Sequence, residues 1–590
     1  MDFYGFYTGQ VFDAYEWLGA KYTPESTIFR TFAPQAKKVE LVLEDRTVPM
    51  KQVYNGQFYE AEIENLAAGT KYEYRIYSNN GYTDHCDPYG YWMERRPAHR
   101  SVTWDTGSYT FHDEDWMKKR SNMLNKPLNI YELHAGSFKK PGEKPDDWYH
   151  YDELGDILIP YLKECGYNYV EFLPLCEHPS DESWGYQTTG YFAPTSRYGT
   201  PEQLMKLIDR LHENEIGAIL DYVPVHFAMD AYGLAKYDGS ALYEYPHNDV
   251  GMSEWGSCNF MHSRGEVKSF LQSAANFWLK EYHFDGLRMD AISRIIFWQG
   301  DERRGVNSNA LDFVKNMNQQ LRKANPGCML IAEDSTSFKG ITHPTEKGGL
   351  GFDYKWDLGW MHDTLDYLAL PPASRSEHYH KLTFSMMYFG DEQYLLPLSH
   401  DEVVHCKGTI VNKMYGTAQE KLRQAKTLYL YMMTHPGKKL NFMGNELGQL
   451  REWDEKRELD FDLLNDPQHK GFHDYMKALG QLYLTHSALS EEDYEASGFE
   501  WADCHQEDKL LYAITRSSKK EKLTAIFNFS DQQQEGYQLR LKGAKCIQKL
   551  LFTEDPQFGG NGGEKAEFDT QTETLTLTLP PYSGILVVNE

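Results

Sequence analysis

Apolar and polar positions alternate through the opening stretch of the chain. Residues 27–32, 39–43, 58–63 and 72–77 each follow a two-residue period, and Asn-Gly and Ala-Gly breaks separate them. Short alternating runs with turn residues between them predict a β-sandwich over residues 1–112. A polar, Lys-rich stretch at 116–127 reads as a helical turn and linker. From Asn129 the pattern changes to short apolar runs alternating with amphipathic helical stretches. Strands are predicted at 129–133, 169–173, 216–225, 284–291, 329–332, 354–358, 394–398 and 439–443. Helices are predicted at 152–165, 201–214, 266–282, 310–324, 420–434 and 472–486. The second of these has a strong start, with Thr200 as cap, Pro201 in the first turn and Gln203 behind it. After about residue 491 alternation returns at 510–514, 523–527, 573–579 and 585–588.

Eight β units with intervening helices argue for a closed parallel barrel rather than an open sheet. No Gly-rich phosphate loop stands at a βα junction, as a doubly wound nucleotide fold would require. The predicted fold class is therefore α/β: a central (β/α)8 TIM barrel over 113–490, an N-terminal β-sandwich over 1–112 and a C-terminal all-β sandwich over 491–590.

Composition narrows the partners. The 590 residues carry a formal charge of −27, which repels phosphate backbones and anionic lipid surfaces. No nucleic acid or membrane partner is expected, and no run approaches the roughly 18 apolar residues of a membrane span. The 13 Trp, 42 Tyr and 30 Phe suit a neutral ligand whose rings stack on aromatic faces. The N-terminus lacks the basic and apolar regions of a signal peptide. Eight scattered cysteines without CxxC spacing suggest a reduced, cytoplasmic protein. Nothing in the chain encodes an oligomeric state, and a monomer is expected.

A barrel places functional side chains at the C-terminal ends of its strands. Four polar clusters occupy such ends: Asp221 and His226 on the third strand, Arg288 and Asp290 on the fourth, Glu333 on the fifth, and His400 and Asp401 on the seventh. Each follows an apolar run, so partial burial is expected, and a buried carboxylate needs a partner or a role. Carboxylates together with an Arg and two His fit glycosidic chemistry, in which one carboxylate attacks the anomeric carbon and a second protonates the leaving oxygen. Arg288 is placed to keep Asp290 ionised, and Glu333 to serve as acid and then base. The HExxH spacing of a metalloprotease helix and the GxSxG of a serine hydrolase are both absent, so neither a metal nor another cofactor is expected.

These clusters resemble the four signature motifs of the α-amylase superfamily, glycoside hydrolase family 13. Three further runs resemble its 1,4-α-glucan branching enzymes: 184–200 (WGYQTTGYFAPTSRYGT), 349–365 (GLGFDYKWDLGWMHDTL) and 441–449 (NFMGNELGQ) followed by Arg451-Glu452-Trp453. Residues 17–20, 32–39 and 87–90 resemble the family 48 carbohydrate-binding sandwich of such enzymes. The resemblance implies a retaining mechanism on α-glucans such as amylose and glycogen. Asp290 would be the nucleophile, Glu333 the acid/base and Asp401 the third acid gripping sugar hydroxyls. Asp221, His226, Arg288 and His400 would support the reacting sugar, and Tyr186 would be the aromatic platform beneath it. The implied reaction is cleavage of an α-1,4 link with transfer to a 6-hydroxyl, forming an α-1,6 branch. A hydrolase of the same superfamily, or an inactive glucan-binding scaffold, remain the alternatives. Two departures stand out. Asp334 occupies a position where the family often has a second Glu, and the Gly-Asp-Phe-Asn-x-Trp run of the N-terminal module is replaced by Leu43-Glu44-Asp45-Arg46.

Overall fold

The computed structural model describes residues 1–589. The chain forms two compact units: Met1–Asn122, His134–Ile157 and Glu171–Asp353 make one, and Met123–Leu133, Leu158–Val170 and Tyr354–Glu590 the other. Eight parallel strands close into a barrel in chain order. They are β1 (Asn129–Leu133), β2 (Tyr169–Phe172), β3 (Gly217–Tyr222), β4 (Gly286–Met289), β5 (Met329–Ala332), β6 (Tyr354–Trp356), β7 (Tyr394–Leu398) and β8 (Lys438–Phe442). Every residue of all eight is buried, so their sequences show no alternation between a core face and a solvent face.

In the first unit, one sheet pairs Gly19–Tyr22, Ser26–Phe32, Phe58–Glu64 and Lys51–Val53. A second pairs Thr47–Pro49, Lys38–Leu43, Lys71–Ser78 and Gly81–His85, with Ser101–Val102 added on Lys71–Ser78. Phe29, Val39, Leu41, Phe58, Tyr72 and Tyr74 fill the core. Helix α1 (Phe3–Thr8), which the pattern does not predict, lays Phe6 edge-on against Phe32. The barrel helices of this unit include α2 (Pro201–Glu213), α3 (Gly265–Lys280) and α4 (Ser308–Ala324). The start of α2 is the predicted one: Gln203 N–H donates to Thr200 Oγ1 and Thr200 N–H to Gln203 Oε1, a closed capping box.

Two strands are shorter than their apolar runs. β3 ends at Tyr222 because Pro224 has no N–H to continue the ladder. His226 therefore lies beyond β3, on a two-residue strand His226–Phe227 that pairs with Cys258–Asn259. β4 ends at Met289 because Ala291 turns into the left-handed region, with φ of 50°. The alternation of strand and helix also breaks once. Between β5 and β6 only a turn at Thr345–Lys347 forms, in a stretch whose glycines and Pro344 disfavour a helix. Asn318 and Arg322 of α4 instead hold that stretch by donating to the Leu350 and Gly351 carbonyls.

In the second unit, α5 (Leu358–Ala369), α6 (Ala418–Thr434) and α7 (Pro467–Thr485) accompany β6–β8. The apolar pattern does not single out α5; its start is fixed by Asp357, whose carboxylate accepts from Trp360 N–H. The chain ends in two antiparallel sheets. Five strands run in the order Phe499–Gln506, Leu511–Ser517, Lys522–Asn528, Ser583–Asn589 and Ile547–Phe552, and three in the order Gln534–Arg540, Thr574–Leu579 and Lys565–Asp569. Leu511, Ile526, Leu575, Leu577, Leu579 and Ile585 form the core between them. Among the described residues no helix is long and apolar enough to cross a membrane, and no disulfide forms.

Candidate active site

The first unit carries a cluster of charge at the ends of β3, β4 and β5. Asp221 on β3 and Arg288 on β4 are register partners, so their side chains leave the sheet side by side. Both are fully buried. One face of the Arg288 guanidinium donates through Nη1 to Asp221 Oδ2 at 2.6 Å and to Asp290 Oδ1 at 3.1 Å. Its other prong, Nη2, lies 2.9 Å from Glu333 Oε2. A single planar fork thus holds three carboxylates, a geometry that only Arg supplies. Burial opposes the Arg288 charge, but Asp221, Glu333, Tyr186 and Asp290 together outweigh it and hold its pKa well above the ordinary value. The Asp221 side chain has no exposed surface. Asp290 and Glu333 keep side-chain exposures of 14% and 20%, so both are open to a ligand.

Backbone geometry fixes the two open carboxylates. Asp290 N–H donates to the Tyr222 carbonyl and Glu333 N–H to the Met289 carbonyl, which carries the ladder one residue past each strand. The left-handed turn at Ala291 aims its N–H at Glu333 Oε2, 3.0 Å away. Ile292 N–H then donates to the Glu333 carbonyl. Tyr186 joins the same cluster: its hydroxyl donates to Asp221 Oδ2 at 2.5 Å, and its ring lies 6.0 Å from the Arg288 guanidinium. Asp334 turns away into its own loop and accepts from Thr336 N–H and Oγ1.

His226 belongs to this unit but not to that hydrogen-bonded cluster. It is 2% exposed, and burial, helped by Arg294, pushes its pKa down to about 4. The ring is therefore neutral at pH 7, with one donor and one acceptor nitrogen. Its Nδ1 has no partner, which leaves a buried polar atom for a ligand to satisfy. Trp255 stands 5.3 Å from the His226 ring and is 46% exposed. Arg294 stacks on the indole at 4.6 Å and is itself paired with Glu254. The strand-end argument does not find Trp255, because it lies in the long loop after β3.

His400 and Asp401 follow β7 in the second unit. Asp401 is the most open of the three candidate acids, with 47% side-chain exposure. Lys407 Nζ donates to the Asp401 carbonyl at 2.7 Å and steadies the turn. His400 is buried, and its backbone N–H and Nδ1 both reach Glu132 of β1, at 2.9 and 2.6 Å. Sequence reading missed Glu132, although a signal existed: it is the one charged residue in an otherwise apolar and amide-bearing barrel strand. Among the described residues, no group of His, Cys, Asp and Glu is arranged to hold a metal ion.

Comparison with known proteins agrees with this architecture. The catalytic-domain model of α-amylase matches residues 155–243 and 254–538. Carbohydrate-binding module 48, the isoamylase N-terminal domain, matches 17–90, and the C-terminal all-β domain of α-amylase matches 501–590. A 1,4-α-glucan branching enzyme of Fusobacterium nucleatum is 41% identical over 95% of this chain and 93% of its own. Its counterpart in Bacillus subtilis is 38% identical over 100% of this chain and 97% of its own, and that of Nitrosomonas eutropha 39% over 100% and 84%. Among solved structures, a putative α-amylase of Salmonella typhimurium superimposes with a TM-score of 0.73 at 19% identity, covering 97% of this chain and 100% of that one. A pullulanase of Anoxybacillus gives 0.74 at 17%, covering 100% and 89%. These distant likenesses concern the fold alone. On the strength of the catalytic-domain match and the near full-length relatives, the chain belongs to the α-amylase family and, within it, to the 1,4-α-glucan branching enzymes.

Proposed function

We propose that this chain is a retaining α-glucan transglycosylase that cuts α-1,4 links and rebuilds them as α-1,6 branches in glycogen-like chains. The observation that carries the reading is the Arg288 fork, which holds Asp290 and Glu333 on adjacent strand ends while leaving both open. A retaining mechanism needs two carboxyl groups only about 5–5.5 Å apart, and two carboxylates sharing one guanidinium suit that spacing.

Asp290 attacks the anomeric carbon as the bond to the departing chain breaks, and Glu333 gives that chain's oxygen a proton. The sugar is then held as an ester on Asp290. Negative charge leaves Asp290 and appears on Glu333, and Arg288 touches both oxygens, so it follows the charge without moving. The Ala291 N–H adds a second donor to the new carboxylate. In the second half, Glu333 takes the proton from a 6-hydroxyl, that oxygen attacks the anomeric carbon, and the ester bond breaks. Two inversions leave the α configuration, now in a 1,6 link. Tyr186 forms the floor beneath the reacting ring, His226 contributes a donor to a hydroxyl, and Asp401 and His400 hold further hydroxyls. In the same reading, residues 1–112, 113–490 and 491–590 are the binding-module-like, catalytic and C-terminal parts, and the protein works in the cytoplasm.

Incubation with amylose tests this directly. Branching lowers iodine colour while reducing ends stay nearly constant. Rising reducing ends would show hydrolysis, and no change in either would show an inactive scaffold. Asp290→Asn is nearly isosteric and is expected to lower turnover by at least about 10³-fold with the fold intact. Substantial turnover in that variant would remove Asp290 from the nucleophile role.

A further inference from the structure

In the first unit, the strand Gly19–Tyr22, helices α2 and α3 and the segment after Ser101–Val102 border a cavity of about 320 Å³. That volume lies within the range of small-ligand sites, about 300–1,000 Å³. Its walls are largely aromatic. Tyr22 and Trp104 line it half-buried, and Tyr91, Phe277 and Tyr282 close it more deeply. Trp92 braces Trp104 edge-on, with centroids 6.0 Å apart, and Tyr91 stacks on Phe277 at 5.3 Å. The amine on its wall is Lys21, whose Nζ donates to the Tyr15 carbonyl and, at 2.7 Å, to the Tyr91 hydroxyl. Burial pushes the Lys21 pKa down to about 7, so it offers no fixed positive charge. Glu16 and Glu281 also line the cavity, with side-chain exposures of 53% and 38%, and Lys280 bridges them at 2.8 and 3.5 Å. Among the described residues, the Tyr22 hydroxyl and the Trp104 indole N–H have no hydrogen-bond partner.

We propose that this cavity is a second carbohydrate site, sharing no residue with the Asp290–Glu333 cluster, which holds a short run of glucose units of an α-glucan against Tyr22 and Trp104. A sugar ring has an apolar C–H face and a rim of hydroxyls. The two aromatic rings cover the face. The open phenol and indole N–H, with the Glu16 and Glu281 carboxylates, meet the rim as donors and acceptors. Those carboxylates and the chain's charge of −27 repel a phosphorylated or carboxylated ligand, which leaves a neutral one. A purely apolar ligand is disfavoured as well, because it would strip water from the carboxylates and the phenol and return no hydrogen bond. A long glucan held at two places binds more tightly than at either alone. The choice of an α-glucan rests on the transglycosylase reading; the demand for a neutral, ring-shaped polyol does not.

Titration calorimetry with maltoheptaose on the full-length Asp290→Asn chain, which binds the sugar without turnover, tests the site. Two independent sites are expected. Trp104→Ala in that background should weaken one of them by about tenfold or more and leave the other as it was. Thr106→Arg covers the case in which loss of the indole disturbs the fold. Thr106 is exposed and lines the cavity, so a long side chain there fills the space without entering the core. It should abolish the same site, and the double variant should behave as Thr106→Arg does alone. One site or none, or two sites that neither substitution alters, overturns the proposal and leaves the branching reading to the iodine assay. If the wild type fails that assay while the calorimetry runs as stated, the cavity still binds glucan and only the enzymatic reading falls.

Discussion

At the scale of single residues, the site depends on shape as much as on charge. Arg288 meets Asp221, Asp290 and Glu333 through two prongs of one plane. Lysine keeps the charge but offers a single ammonium point, which cannot span the fork. Arg288→Lys should therefore lower kcat by about 10²–10³-fold, the order seen when one preorganised donor is lost from a developing charge. Circular dichroism should stay near wild type, and a variant within a few fold of wild-type kcat would show that the bridge is dispensable. The charged members of the site were legible because each interrupts an apolar run: Asp221, Arg288, Asp290, Glu333, His400 and Asp401 all do so. Trp255 was not, since an aromatic in a polar loop has no periodicity to break. Glu132 lay in plain view, but its meaning depends on His400, which is 268 residues away in sequence.

At the scale of elements, local chemistry and tertiary demands divide what the sequence shows. The α2 capping box is complete within four residues, so it can be read directly. The strand Lys565–Asp569 cannot, because its side chains are almost all exposed and it carries no alternation of apolar positions. The short helix Phe3–Thr8 is likewise held by partners distant in the chain rather than by its own propensity. Gly265, at the start of α3, shows how tight that docking is: a Cβ there would lie 1.9 Å from the Tyr7 carbonyl oxygen. Backbone cannot yield as a flexible side chain does, so Gly265→Ala should lift the Phe3–Thr8 helix away. Hydrogen exchange is the measure: amides of residues 3–10 should lose protection while those of β3–β5 keep theirs. Unchanged protection in the N-terminal helix would show that α3 shifts instead.

At the scale of the whole molecule, a chain with a charge of −27 still builds its interior around buried cations. In the second unit, Lys438 and Arg516 both pair with Asp493, at 2.9 and 2.7 Å, and all three side chains have 0–1% exposure. Removing the shared anion strands two charges, so Asp493→Asn should cost about 3–5 kcal/mol and lower the melting temperature accordingly.

The first unit does the same with a histidine, and this makes stability depend on pH. His212 donates from Nδ1 to Asp113 at 2.6 Å and from Nε2 to Asp285 at 2.9 Å, with Trp116 stacked on its ring. Burial opposes the charge, but Asp285 and Asp113 outweigh it and raise the pKa to about 9 from 6.5. The folded state thus binds the proton more tightly than the unfolded chain does. Its contribution, about 3 kcal/mol in order of magnitude, is complete below pH 6.5 and is lost as pH rises through about 9. Thermal unfolding followed between those values should show wild type losing stability steadily. His212→Gln cannot titrate, so it should be less stable at pH 6 and show a flatter decline toward pH 9. If both proteins fall with the same slope, the alkaline sensitivity lies elsewhere and the Asp113–His212–Asp285 bridge does not titrate over this range.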